Sequence, residues 1–225
     1  PNTLTRQIRM HSELLSENTL NYNKKLGEHE FSGLVGFTFQ KTSDKQNQLV
    51  GTNFPSDDML SFNLASALIL DSPAASGTTS FYYTEALASY IGRLTYAYKG
   101  KYLLSASLRA DGSSKFAEGH KWGTFPAASL GWRASEEKFI KKYDFITNLK
   151  LRASYGLTGN NNIPQYSYLN ALNTSNYVTG SGNGILTPGM AASDAFIGNT
   201  NITWEQTAEK NFGIDLGLLK NRINV

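Results

Sequence analysis

The chain has 225 residues, of which 40% are hydrophobic and only 17% charged, against roughly a quarter charged in ordinary soluble domains. No run approaches the ~18 consecutive apolar residues of a membrane helix, and the absence of cysteine excludes disulfides and thiolate metal sites. A net charge of +3 with no dense Lys/Arg block argues against a nucleic-acid partner.

Few charges and no apolar run are compatible when apolar residues alternate with small polar ones. The 12 Tyr, 12 Phe, 3 Trp and 20 Gly supply the residues of strands and turns. Residues 12–24 give a first segment, with Leu20 and Tyr22 opposite Thr19, Asn21 and Asn23. A turn at Leu26 and Gly27 leads to a second, residues 28–41. There Phe31, Gly33, Val35, Phe37 and Phe39 face away from Glu30, Ser32, Gly36, Thr38 and Gln40. Residues 42–83 show no sustained period and read as a long loop, with a short helix expected over residues 60–68.

The third segment, residues 84–98, sets Ala88, Tyr90, Leu94, Tyr96 and Tyr98 against Ser89, Arg93 and Thr95. Lys99-Gly100-Lys101 turns tightly into the fourth, where Tyr102, Leu104, Ala106 and Leu108 oppose Ser105, Ser107, Arg109 and Asp111. A loop over residues 112–122 precedes the fifth (123–133), with Ala128, Leu130 and Trp132 opposite Ser129, Gly131 and Arg133. Residues 135–142 read as one or two helical turns capped by Ser135, acids first and lysines last. The sixth segment, residues 148–156, is followed by a Gly/Asn/Ser-rich loop over 157–201. The seventh, residues 202–218, ends in Phe212, Ile214, Leu216 and Leu218, and residues 220–225 read as a turn into an eighth strand.

The connections alternate in length, short at one end and longer at the other. This is the pattern of an outer-membrane barrel, with short periplasmic turns and long extracellular loops. Tyr96, Tyr98 and Tyr102 bracket one short turn, and Trp132 and Phe139 lie near another, where an interfacial aromatic belt belongs. Arg93, Arg109, Arg133, Lys150, Arg152, Glu85, Asp111 and Asp215 all oppose the aliphatic face, which suits a water-filled lumen. A soluble carbohydrate-binding or adhesion β-sandwich and a non-TonB porin are the alternatives.

Several runs carry a family resemblance: GRLTYAYKGKYLL (residues 92–104), RADGSSKF (109–116), KWGTFPAASLGWR (121–133), SEE (135–137), LKLRASYGLTGN (149–160), WE (204–205) and NFGIDLG (211–217). In this order they resemble the SusC/RagA-type, TonB-dependent outer-membrane transporters. The resemblance implies that all of residues 1–225 belong to one barrel domain, seven to eight strands of a plugged barrel of about 22. It also implies bacterial outer-membrane localisation, a SusD-like lipoprotein lid, energy from the TonB complex, and an oligosaccharide or peptide as substrate. The plug, the TonB-contacting segment and a signal peptide are absent from the sequence, which reads as a fragment. In local terms, Gly112, Gly156 and Gly159 are expected to turn the backbone at strand ends. Trp122 and Trp204 are expected to span lipid and headgroups.

No HExxH, Walker or GxSxG pattern is present, so an enzyme lacks residues to carry it, and no cofactor is implied. His11, His29 and His120 are far apart in sequence. Glu136 and Glu137 read as helix-dipole partners. Asp57 and Asp58 could ligate calcium only by an unspecific spacing, and residues 180–184 read as a glycine-rich loop tip. The expected ligand contacts are loop aromatics and amides, which stack on sugar rings and bond hydroxyls: Phe81, Tyr82, Tyr83, Asn161, Asn162, Tyr166, Tyr168 and Tyr177.

Overall fold

A computed structural model describes residues 3–56, 69–70, 79–170, 172–179, 185–192, 197–219 and 222–224. The expected helix at 60–68, the Asp57/Asp58 pair and the loop tip at 180–184 lie outside them. The strands are β1 (Thr3–Leu26), β2 (His29–Thr52), β3 (Ile69–Leu70), β4 (Thr79–Tyr98), β5 (Tyr102–Ser113) and β6 (Trp122–Arg133). They continue with β7 (Ile146–Asn160), β8 (Leu172–Thr179), β9 (Ile185–Ala192), β10 (Glu205–Leu218) and β11 (Ile223–Asn224). The main sheet runs β1-β2-β4-β5-β6-β7-β10-β11, with β3 added to β2. Among the described residues this is an all-β antiparallel meander of seven long strands and the two-residue β11. Contacts divide the chain into two compact units, Pro1–Leu15 with Gln40–Ala86 and Ser16–Phe39 with Leu87–Val225.

Two rows across the second unit show how sequence becomes surface. Tyr96, Leu104, Leu130, Ala153 and Phe212 are successive cross-strand partners, and so are Thr95, Ser105, Ser129, Ser154 and Asn211. Neighbouring rows point to opposite faces because successive side chains alternate. The first row is bare: Leu130 is 62% and Phe212 85% exposed, with Ile214 at 65%. Each such side chain would gain about 1.5–3 kcal/mol from burial, so a water-facing apolar sheet of this extent does not persist. A bilayer removes that cost, and the apolar face is the lipid face.

The packed core lies on the other, polar face. Phe116 is fully buried, with Phe125 and Trp204 against it and Leu87, Ile163 and Ile202 around them. The Trp204 ring sits 5.4 Å from both phenyl rings, and its indole N–H donates to the Lys121 carbonyl at 2.8 Å. Trp204 therefore anchors loops on the lumen side and does not reach lipid. Trp122 does lie on the apolar face, stacked on Tyr90. The glycines act by omission of a side chain. A Cβ on Gly123 or Gly159 would stand 2.5 or 2.1 Å from the Phe125 ring, and one on Gly112 2.8 Å from the Trp122 indole. Gly112, Gly156 and Gly159 lie within strands and outside the positive-φ set, so they make room for rings or a neighbouring strand and do not turn the chain.

Positive φ is used at the short connections instead, by Gly27 (61°) and by Lys99 and Gly100 (56° and 64°). The β6–β7 connection also departs from expectation. It holds one 3-10 turn, Ala134–Glu136, whose N-cap is Arg133 with no side-chain cap bond, and Ser135 lies inside it. Glu137 is extended and is not a dipole partner. Its carboxylate accepts from Lys101 Nζ (3.1 Å), Tyr102 Oη (2.8 Å) and Trp132 Nε1 (3.5 Å), tying two short turns together. Glu136 pairs with Lys141 at 2.6 Å.

The described residues within 42–83 and 157–201 hold more strand than their patterns indicate. β2 continues to Thr52 and β4 begins at Thr79, β7 continues to Asn160, and β8 pairs with β9 as a separate hairpin. In β2 from residue 40 to residue 48 both faces are polar, so no alternation marks a strand that its ladder nevertheless holds.

Two predictions follow for the full-length protein. Phe116→Ala is expected to cost about 3–5 kcal/mol, read as an earlier loss of the folded band on heat-modifiability gels, with Gly159→Val acting in the same direction through Phe125. The hydrogen bond from Tyr102, then that from Lys101, holds the Glu137 carboxyl below its ordinary range despite the opposing effect of burial. Its stabilisation is thus complete above the ordinary glutamate range and fades as pH falls through the lowered native value. Glu137→Gln is expected to remove that portion of the acid dependence of the melting temperature.

Candidate functional site

The first unit carries a polar face across three strands, built around Asp44 on β2. The Asp44 side chain is 4% exposed. Its Oδ1 accepts from Arg9 Nε at 3.1 Å and Nη2 at 3.0 Å, and its Oδ2 lies 3.0 Å from His11 Nδ1. A carboxylate only accepts, so Nδ1 carries the proton in this contact. The Tyr83 hydroxyl, from β4, donates to the same carboxylate. Gln7 to Gln46 at 2.9 Å and Gln40 to Glu13 at 2.6 Å extend the ladder along β1 and β2.

Beside this ladder Phe81 stacks on Tyr83, with centroids 5.7 Å apart and planes 10° from parallel. Arg9 and His11 remain half exposed although their inner edges are fixed by Asp44. Ring faces next to oriented donors and acceptors can bind a ligand that has both apolar faces and hydroxyl or amide groups. Phe81, Tyr82 and Tyr83 are strand residues, not loop residues as expected, and alternation separates them. Tyr82 lies on the opposite face, its hydroxyl 3.1 Å from Thr84 Oγ1, which lies 3.4 Å from Ser43 Oγ.

In the second unit Asn161 Nδ2 donates to Ser113 Oγ at 3.3 Å, so this amide fastens its loop. The Asn162 N–H donates to Asn160 Oδ1, an Asx turn that leaves the Asn162 side chain exposed. Tyr166 adopts φ 59°, an uncommon conformation for a bulky residue, and is 47% exposed. Tyr168 is half-buried beside the buried Ser167, whose hydroxyl donates to the Pro164 carbonyl. Tyr177 lies on β8 opposite Thr187. The expected residues thus fall into separate groups, each described within its own unit. Among the described residues no group of three or more His, Cys, Asp or Glu could hold a metal ion.

The family model for the TonB dependent receptor-like β-barrel matches residues 2–225. The chain belongs to this family. TonB-dependent receptor P39 of Formosa agariphila is 41% identical over 211 residues, 93% of this chain and 19% of that protein. TonB-dependent receptor SusC of Bacteroides thetaiotaomicron is 38% identical over 146 residues, 64% of this chain and 14% of that protein. Among solved structures, the RagAB peptide transporter superposes with TM-score 0.79 at 23% identity, covering 98% of this chain and 23% of that chain. That likeness concerns the fold. The chain spans about a fifth of the length of the curated relatives it matches.

As part of a TonB-dependent receptor barrel in the outer membrane, the sheet has its apolar face towards lipid and its polar face towards the interior. In the second unit the Arg152–Asp215 pair (3.1 Å) and Arg109–Asp111 (2.8 Å) line the interior side, and in the first the Arg9–His11–Asp44–Tyr83 ladder occupies the polar face. Sequence reading missed Arg9, His11 and Asp44. The signal was the shared parity of Gln7, Arg9, His11 and Glu13 against Gln40, Thr42, Asp44 and Gln46. Asp44→Ala is expected to free all three partners at once. Hydrogen–deuterium exchange should then quicken at the amides of residues 5–13 and 40–48 and stay unchanged at residues 123–133.

Proposed function

We propose that this chain is wall from the single barrel domain of an outer-membrane nutrient importer. A plug and a TonB-contacting segment elsewhere in the protein would energise it, and a SusD-like lipoprotein would cap it. Membership of the TonB-dependent receptor barrel family carries this reading, and the likeness to SusC and to the RagAB peptide transporter supports the lid. The substrate is an oligosaccharide, with a peptide as the second reading because the structural relative is a peptide transporter. The Phe81–Tyr83 pair with Arg9 and His11 is the contact surface favoured in the first unit. Asn162, Tyr166 and Tyr168 are those favoured in the second, and Tyr177 remains part of the proposal.

The test is uptake in cells whose only route for the nutrient is the full-length protein and its lid. Replacing Phe81 and Tyr83 together by Ala should lower uptake at limiting substrate about tenfold, the equivalent of about 1.4 kcal/mol of lost contact. Tyr82→Ala should leave it unchanged. Uptake that persists without TonB would contradict the import reading. Uptake indifferent to Phe81 and Tyr83 but abolished by Tyr166→Ala would move the contact surface to the second unit.

A further inference from the structure

On the polar face of the first unit the Arg9 guanidinium is only half used. Its Nε and Nη2 both address Asp44 Oδ1, at 3.1 and 3.0 Å. Among the described residues nothing meets the Nη1 side, and the Arg9 side chain is 55% exposed. Two contacts to one oxygen fix the plane of the group, so its outward edge is already oriented. Such an edge presents parallel N–H donors matched to two oxygens of one anion.

The anion within the cluster is already spent. Asp44 is 4% exposed and also meets His11 Nδ1 at 3.0 Å and the Tyr83 hydroxyl. The other acids on that face among the described residues stand apart. Glu13 is four residues from Arg9 along β1, roughly 13 Å, and accepts from Gln40 at 2.6 Å. Glu85 is four residues from Phe81 along β4. Beside Arg9 the face carries amides, Gln7 bonding to Gln46 at 2.9 Å. The exposed charge at this end of the ladder is therefore positive.

An aromatic platform adjoins that charge. Tyr83, which shares Asp44 with Arg9, carries Phe81 stacked on it at 5.7 Å, and Phe81 is 38% exposed. β2 separates β4 from β1, so the face spans two strand spacings, roughly 10 Å, the reach of two linked sugar rings. We propose that Arg9 binds the anionic substituent, a uronate carboxylate or a sulfate ester, of an acidic oligosaccharide whose adjoining ring lies on Phe81. Such recognition presupposes the oligosaccharide importer proposed above and adds the charge of its substrate.

The test places the full-length transporter, in mild detergent, on an array of uronate-bearing, sulfated and neutral oligosaccharides and acidic peptides. Each acidic sugar is printed beside its carboxyl-reduced or desulfated counterpart. The wild type should hold acidic sugars about tenfold more tightly than their uncharged counterparts, and the class held tells carboxylate from sulfate. Arg9→Gln should abolish that preference. Arg9→Lys, which keeps the charge but not the planar fork, should retain part of it, and Lys45→Gln on the opposite face should change nothing. Equal retention of charged and uncharged sugars by the wild type would overturn the anionic subsite and leave oligosaccharide import standing; that arm needs no variant to fold. An undiminished preference in Arg9→Gln would overturn it as well. Retention of acidic peptides in place of every sugar, or of nothing on the array, would overturn both readings.

Discussion

The antiparallel backbone ladder is the constraint on which the rest of the structure depends. In hydrocarbon an unpaired N–H or C=O has no water to turn to, so a strand crosses a membrane only with a partner on each side. Each long strand from β2 to β10 has two neighbours in the sheet. Once the ladder is fixed, alternation assigns every side chain to lipid or interior, and a displacement of one residue would exchange the two. The rows through Leu104 and Ser105 show how completely the sequence honours that assignment.

Exceptions to the alternation mark where the sheet has further work. Phe125 is a large aromatic at a polar-face position, and it is there because Phe116 and Trp204 close over it while Gly123 and Gly159 leave room for its ring. The signature run from Arg109 to Phe116 thereby gains a physical explanation. Arg109 and Asp111 pair on the interior wall, Gly112 lies beneath Trp122, and Phe116 pins the returning loop. At the opposite ends of these strands Glu137 gathers three donors from two connections, so those short turns are fixed to one another as well as to their strands.

How much of this was legible in the sequence follows from the same rule. Alternation exposed β5, β6, β7 and the ends of β4 and β10 because one face there is apolar. The upper part of β2 escaped notice because Lys41, Ser43 and Lys45 are as polar as Gln40, Thr42 and Asp44. Side-chain bonds that add to the ladder in that region, such as Arg9 and His11 to Asp44 and Gln7 to Gln46, join residues more than thirty apart, which no local pattern reveals. Glu137 was misread for a related reason: its acidic neighbour and following lysines imitate a helix start, while its partners Lys101 and Tyr102 lie on another hairpin. Of the expected ligand contacts, Phe81 and Tyr83 were legible as aromatics but not as one face, since parity matters only once the segment is a strand. Asn161 was legible as an amide, but not as one already committed to Ser113.

The central claim is that the bare apolar face is the lipid face. The stretch contains no cysteine, so single cysteines introduced here can carry spin labels in the full-length protein reconstituted in bilayers. Labels at Leu94, Leu108, Leu130 and Ile214 should collide with dissolved oxygen and be shielded from a water-soluble nickel complex. Labels at Ser107, Ser129 and Ser154 should show the reverse. Water accessibility at both sets, or at the first set alone, would contradict the account.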